Sequence, residues 1–240
     1  MRSVLSRILE PLGSLFFPAH CAGCGRSIGE GGDLCDACLE KIEYVRAPRC
    51  EVCSQPFSGQ MAEFTCPNCR GEAFSFDCAV AVTLSRGPVR DMVHRLKYAR
   101  ELWLARVLGG ILVRGLRDGR LEGMAFDGIV PVPLHPRRLR EREFNQAALL
   151  ASELARASGI PVIEALARRR YTTTQTRLDR NARRQNLRDA FILRKNADVT
   201  DNNLLLVDDV LTTGSTLDAC AAVLLEAGAG SVRALTVARG

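Results

Sequence analysis

Residues Leu204 to Thr216 read LLLVDDVLTTGST, and the succession of chemistries along that stretch decides the fold. The run from Asn203 to Val207 is that of a strand buried on both faces. Two adjacent carboxylates, Asp208 and Asp209, stand where that strand is expected to end. Thr212, Thr213, Gly214, Ser215 and Thr216 follow, and Leu217, Cys220, Ala221, Leu224 and Leu225 then lie on one side of a helix. Backbone N–H groups and hydroxyls at a helix N-terminus favour a phosphate. Gly214 permits a positive φ and a close approach of the backbone. Carboxylates are repelled by a phosphate, so Asp208 and Asp209 must serve another part of the ligand. Accepting hydrogen bonds from sugar hydroxyls, with Mg²⁺ nearby, suits them. Helix capping alone accounts for one hydroxyl, but two consecutive aspartates at a strand end are costly without a ligand or cation.

This stretch resembles the signature of type I phosphoribosyltransferases. The resemblance implies that the acidic pair holds the ribose hydroxyls of phosphoribosyl pyrophosphate (PRPP) and that the following turn cradles its 5′-phosphate. On that basis Asp208, Asp209, Thr212, Thr213, Gly214, Ser215 and Thr216 are expected PRPP-binding residues, with the two aspartates also catalytic.

Eight of the ten cysteines form four C-x-x-C pairs: Cys21/Cys24, Cys35/Cys38, Cys50/Cys53 and Cys66/Cys69. Two such knuckles complete a tetrahedral Cys₄ zinc site, so two structural Zn²⁺ are expected. Disulfides are the alternative; the knuckle spacing and the want of an export signal favour zinc in a reducing cytoplasm. Sequential pairing makes one site from the first two knuckles and one from the last two. Interleaved pairing also satisfies the spacing, and His20 beside Cys21 is a substitute ligand or simply a loop residue. Cys78 and Cys220 stand alone among apolar neighbours and read as packing residues.

The 240 residues suffice for one small and one large unit, expected at 1–76 and 77–240. Met1 to Phe17 spaces apolar residues helically but is too short and too interrupted by Arg2, Arg7, Glu10 and Pro11 to span a bilayer. It lacks the small-residue cleavage site of a secretory signal, so a cytoplasmic protein is expected, with a weak association at the inner face of the membrane as the minority reading. Residues 1–76 carry 7 Lys and Arg against 9 Asp and Glu, and the rest carries 26 against 18. The excess lies between Arg137 and Arg194, which hold 14 arginines against 6 acids. A nucleic-acid surface is therefore expected on the second unit, with Arg168, Arg169 and Arg170 as its first candidates. Aromatic residues for base stacking are few, and none forms an interleaved basic and aromatic array.

Strands are expected at Cys78–Leu84, Asp127–Val132, Ile160–Leu166 and Val232–Ala238. Helices are expected at Pro88–Lys97, Leu102–Leu116 and Phe144–Ala157, the last with Ala148, Leu149, Ser152 and Leu154 turned inward. The alternation implies a parallel sheet covered on both faces. PVPLHPRRLRERE reads as a basic loop carrying Arg137, Arg138, Arg140 and Arg142 to the carboxyl edge of the sheet, where ligands bind in open α/β folds. Lys97 and Tyr98 offer a second grip, although Lys97 taken alone reads as a surface lysine. Arg168–Arg188 has no apolar periodicity and reads as a substrate-closing loop, with Thr174, Gln175, Arg183 and Asn186 as polar contacts.

Taken together, the chain resembles the ComF family of competence-associated proteins. The resemblance rests on the knuckles after Phe17-Pro18, on HRLKYAR at His94–Arg100, on VPVPLHPRRLRERE at Val130–Glu143, on Phe144-Asn145-Gln146 and on the DDVLTTGST turn. It implies a zinc-ribbon-like module before a type I phosphoribosyltransferase-like α/β domain. It further implies PRPP with Mg²⁺, Lys97 and Arg138 among the PRPP contacts, Gln175 in catalysis, and work on incoming single-stranded DNA beside the DNA-uptake machinery. One departure stands out: Glu143 occupies the place of the glycine in the family's usual Arg-Gly-Phe-Asn-Gln.

Overall fold

The computed structural model describes residues 20–29, 32–59, 64–170 and 189–240. The expected N-terminal helix and the expected contacts of Thr174, Gln175, Arg183 and Asn186 lie outside the described residues. Helix α1 spans Asp36–Glu40; strand β1, Ala79–Leu84, leads to helices α2, Gly87–Tyr98, and α3, Leu104–Gly115. Then come β2, Gly128–Pro131, helices α4, Pro136–Arg142, and α5, Gln146–Ser158, and the short strands β3, Leu166–Arg168, and β4, Phe191–Leu193. The chain closes with β5, Asn203–Leu211, α6, Ser215–Glu226, and β6, Ser231–Arg239.

The main sheet has the order β1-β6-β5-β2, and every pairing in it is parallel. Alternate residues of β5 serve two cores. Leu205 and Val207 join Ile129, Leu235 and the apolar faces of α2, α3 and α5, while Leu204 and Leu206 join Val130, Ala234 and α6. All four β5 residues are fully buried, as a strand covered on both faces requires.

Three expectations are corrected. PVPLHPRRLRERE is not a plain loop, because His135 caps it by accepting from Arg137 N (3.1 Å) and Pro136 occupies the first helical turn, so 136–142 winds into α4. Ile160–Leu166 is not one strand. Val162 makes a single bridge to Ile129, and Leu166–Arg168 leaves to pair antiparallel with β4. The inward face of α5 is Ala147, Leu150, Ala151 and Leu154, because Asn145, not Phe144, caps the helix; Ser152 is exposed and bonds to Ala148 O.

The cysteine-rich segment lies along the outer edge of β1. Val45 N donates to Val82 O (2.9 Å) and Leu84 N to Glu43 O (2.7 Å). Further along, Ala79 N donates to Val52 O (2.8 Å), Ser54 Oγ to Ala79 O (2.9 Å) and Ala81 N to Ser54 Oγ (3.0 Å). An otherwise open strand edge is thereby closed. No helix among the described residues is long and apolar enough to cross a membrane.

Candidate sugar-phosphate and zinc sites

The acidic pair lies inside β5, not beyond its end, because β6 stays paired with β5 as far as Leu211 and Arg239. On the other side the ladder stops early. Val132 N gives the last bond, to Val207 O (3.0 Å), and β2 pairs with β5 no further than Pro131 and Val207. From β2 the chain passes through α5 on one face to the Val162 bridge on β2's far side. From β5 it passes through α6 on the opposite face to β6. The direction of progression reverses between β2 and β5, which is where open α/β sheets form their ligand crevice.

A cavity of about 410 Å³ opens there, and Asp208, Asp209, Thr212, Thr216, Lys97, His94, Tyr98, Gln146 and Arg168 contribute to its walls. Asp209 is 3% exposed and forms an ion pair with Lys97 through Oδ2. Gln146 Nε2 reaches Asp209 Oδ1 at 3.5 Å, Arg142 Nη1 donates to Gln146 Oε1 at 2.5 Å, and the Arg142 guanidinium lies 5.5 Å from the Tyr98 ring centre. Burial, the largest single influence, raises the Asp209 carboxyl, but the Lys97 ammonium together with hydrogen bonds from Asp208, Lys97 and Gln146 holds Asp209 below the usual carboxylate range. Asp208 moves the other way: burial, and then the negative charge of Asp209, push it well above that range. The two neighbours are thus driven apart, one held ionised and one inclined to keep its proton, a pattern common at functional sites.

The turn after β5 places Gly214 at φ +80°, the left-handed region, directly before α6. A side chain there would be strained even though the nearest atom, Phe76 Cζ, is 3.5 Å from an ideal Cβ. Thr213 Oγ1 and Ser215 Oγ are 3.0 Å apart, and Ser215 is buried. Thr212 and Thr216 face the cavity, whereas Ser215 borders a separate hollow on the outer side of α6. Arg138 lies with Lys97, Tyr98, Arg100, Glu141 and Arg142 around an adjoining cavity of about 300 Å³.

Arg142 is one of the arginines expected at this edge, whereas Gln146 is not among the expected contacts; a polar residue opening an otherwise apolar helix is the signal for it. Lys97 is not a plain surface lysine, because its ammonium is turned onto Asp209. Arg168 also departs from expectation. Its guanidinium lies 5.2 Å from the Phe191 ring centre against the cavity, and burial pushes its pKa down, so Arg168, Arg169 and Arg170 do not form one surface row. Glu143 takes the left-handed conformation at φ +72°, and its carboxylate pairs with Arg100 at 2.9 Å, itself at φ +56°.

The cysteines pair sequentially. Cys21, Cys24, Cys35 and Cys38 form one group, Cys50, Cys53, Cys66 and Cys69 the other, and in each the sulfurs lie within 4.8 Å of one another. All ten cysteines are free thiols, and His20 belongs to neither group. Cys35 N donates to Cys21 Sγ and Cys66 N to Cys50 Sγ, both at 3.3 Å, the backbone support expected of knuckle thiolates. The Cys50 thiol is drawn down to about 4, first by its hydrogen bond with Cys53 and, against burial, by the backbone N–H of Cys66. Four convergent sulfurs fit Zn²⁺. The second group is buried in the same core as Ala79 and Ala81. Arg120 ties it to the sheet by donating to Cys50 O (3.3 Å), Glu51 O (2.9 Å) and Ser54 Oγ (2.9 Å) while pairing with Asp118.

A double zinc ribbon on the edge of a phosphoribosyltransferase-type sheet is the class of protein these features define. Residues 12–74 match the double zinc ribbon domain family, and residues 145–240 match the phosphoribosyl transferase domain family. The chain is 32% identical to competence protein F of Haemophilus influenzae, over 93% of this chain and 98% of that protein. It is also 32% identical to DNA utilization protein YhgH of Salmonella typhimurium, over 86% and 90%. Identity to competence protein ComFC of Bacillus subtilis is 30%, over 86% and 84%. The chain belongs to the ComF family.

Proposed function

We propose that this protein binds PRPP with Mg²⁺ on a phosphoribosyltransferase fold and acts in DNA uptake, handling incoming single-stranded DNA during natural transformation. The names of its relatives, competence protein F and DNA utilization protein YhgH, support the second part. The observation that carries the first is the acidic pair at the crevice between β2 and β5, facing the left-handed Gly214 turn at the start of α6. In this reading Asp208 and Asp209 accept hydrogen bonds from the ribose hydroxyls, and the turn from Thr212 to Thr216 holds the 5′-phosphate. Lys97 and Arg138 grip the pyrophosphate, and Gln175 joins them in catalysis. Mg²⁺ bound with PRPP supplies neutralisation of pyrophosphate charge. The chain divides in function at residues 1–76 and 77–240, and it works in the cytoplasm beside the uptake machinery.

A second reading is pentosyl transfer to a nucleobase or other small acceptor. It is favoured by the rings of His94 and Tyr98 on the same cavity wall as the acidic pair, which leaves an acceptor room beside the sugar.

Calorimetric titration of PRPP with and without Mg²⁺ tests the first reading. Asp208→Asn is the informative variant, because it deletes a carboxyl that burial inclines to stay protonated, can no longer ionise against a ligand, and leaves the Lys97–Asp209 pair in place. Loss of PRPP binding in the folded variant is expected; unchanged affinity would refute the assignment. Pyrophosphate release in the presence of nucleobases separates turnover from binding alone.

A further inference from the structure

The corner that turns α2 into α3 exposes unusual side chains. Tyr98 is 65% exposed, and Leu102 and Trp103 are 46% exposed each. His94 leans against the Tyr98 ring at 4.6 Å between centres and 47° between planes, and Arg142 stands 5.5 Å from it, yet neither covers the ring. Arg95 stands 5.9 Å from the Trp103 ring. Beside Tyr98 lies the cavity of about 300 Å³ whose wall carries Lys97, Arg100, Arg138, Arg142 and Glu141; Lys97 is paired with Asp209 and Arg100 with the exposed Glu143. Open aromatic faces next to a cluster of cations fit a polyanion that also carries flat apolar groups. A duplex keeps its bases stacked inside, whereas a single strand presents both phosphates and base faces.

We propose that this corner is a platform for single-stranded nucleic acid, with one base stacked on Tyr98 and the flanking phosphates on Arg100 and Arg142. Tyr98 also borders the cavity of the acidic pair, so a strand held on it lies at the mouth of the sugar-phosphate site. The choice of partner rests on the function proposed above. The location does not; it follows from exposure, ring geometry and charge. It centres the nucleic-acid surface on Tyr98 and Arg142, at the start of the arginine-rich span Arg137–Arg194, and not on Arg168–Arg170.

Fluorescence anisotropy of a labelled oligothymidylate of about ten nucleotides tests it on the full, zinc-replete chain, with an abasic strand of equal length as the control that keeps phosphates and removes bases. Tyr98→Ala should weaken binding of the thymidylate by about tenfold, the loss of one stacked base, while Tyr98→Phe stays within about twofold of the native chain. The abasic strand should bind the native chain and Tyr98→Ala alike. Equal affinity of Tyr98→Ala and native chain for the thymidylate would overturn the proposal, as would an abasic strand binding the native chain as tightly as the thymidylate. PRPP affinity, measured separately with Asp208→Asn, keeps the two readings apart. If PRPP fails to bind while Tyr98→Ala still weakens strand binding, the platform stands and the sugar-phosphate assignment falls. If PRPP binds and Tyr98→Ala has no effect, only the platform falls.

Discussion

Lys97→Met is the perturbation that most directly weighs the acidic site. Methionine keeps the apolar length of the side chain and deletes the ammonium that faces Asp209. In the native chain the Lys97 side chain is 21% exposed and that of Asp209 is 5% exposed, so the pair belongs with buried ion pairs, although not at their dry extreme. Breaking a buried pair from one side costs about 3–5 kcal/mol, and the partial exposure of Lys97 places the expected penalty near 3 kcal/mol at pH 8. The pH dependence follows from the same contacts. Asp209 is held below its ordinary value, so the native chain gains stability above the unfolded carboxylate value of about 4 and loses it as pH falls through the lowered one. Without the ammonium, burial raises Asp209, and the folded variant binds a proton that its unfolded chain releases. Its stability therefore falls as pH rises from about 4 to that raised value, and the gap to the native chain widens between about pH 5 and pH 8. Urea unfolding of both zinc-replete proteins across that range gives the difference, in which the shared titration of the cysteines cancels. A penalty below about 1 kcal/mol, typical of an exposed pair, or one that does not change with pH, would refute the reasoning.

Metal analysis should find two Zn²⁺ per chain, and a chelator should strip the first site, where Cys24 is exposed, before the second, whose four cysteines are buried. Zinc release followed with a chromophoric indicator checks this; a single zinc, or release in the opposite order, would contradict it. Glu143→Gly should raise stability by about 1 kcal/mol, because a left-handed conformation costs a residue with a Cβ about 1–2 kcal/mol. The ion pair it sacrifices is 54% and 66% exposed and contributes little. A lower urea midpoint for this variant would mean that the Arg100 contact outweighs the backbone strain.

Local patterns were legible wherever one short stretch carried the whole signal. Leu204–Val207 announced a strand buried on both faces, and it lies at the centre of the sheet with its side chains split between two cores. Gly214 announced a positive φ, and it has one. The C-x-x-C spacing announced two Cys₄ groups, because the two sulfurs of a knuckle converge whatever surrounds them. Reading failed where a residue's role depends on a distant neighbour. Lys97 looks like any lysine near a helix end until β5 brings Asp209 against it. The register of α5 slipped by one residue because Ala148, Leu149 and Ser152 are as plausible on a helix face as Ala147, Leu150 and Ala151. What separates them is the Asn145 cap and the reach of Gln146 to a carboxylate 63 residues away.

The sequence by itself determined the class of the protein: an α/β sheet with an acidic pair and a glycine turn before a helix, preceded by two Cys₄ groups that fit zinc. Those features are local, set by side-chain burial, backbone freedom at one glycine and the bite of two cysteines three residues apart. Only the tertiary structure decided how they combine. Closure of β1's free edge by Glu43, Val45, Val52 and Ser54 joins the zinc ribbons to the sheet, since unpaired backbone groups there need partners from outside the strand. The end of the β2 ladder at Val132 leaves the crevice open at Asp208, and the opposite shifts of Asp208 and Asp209 follow from which of the two meets Lys97. Electrostatics and edge pairing act through space, so elements far apart along the chain had to be placed side by side before either could take effect.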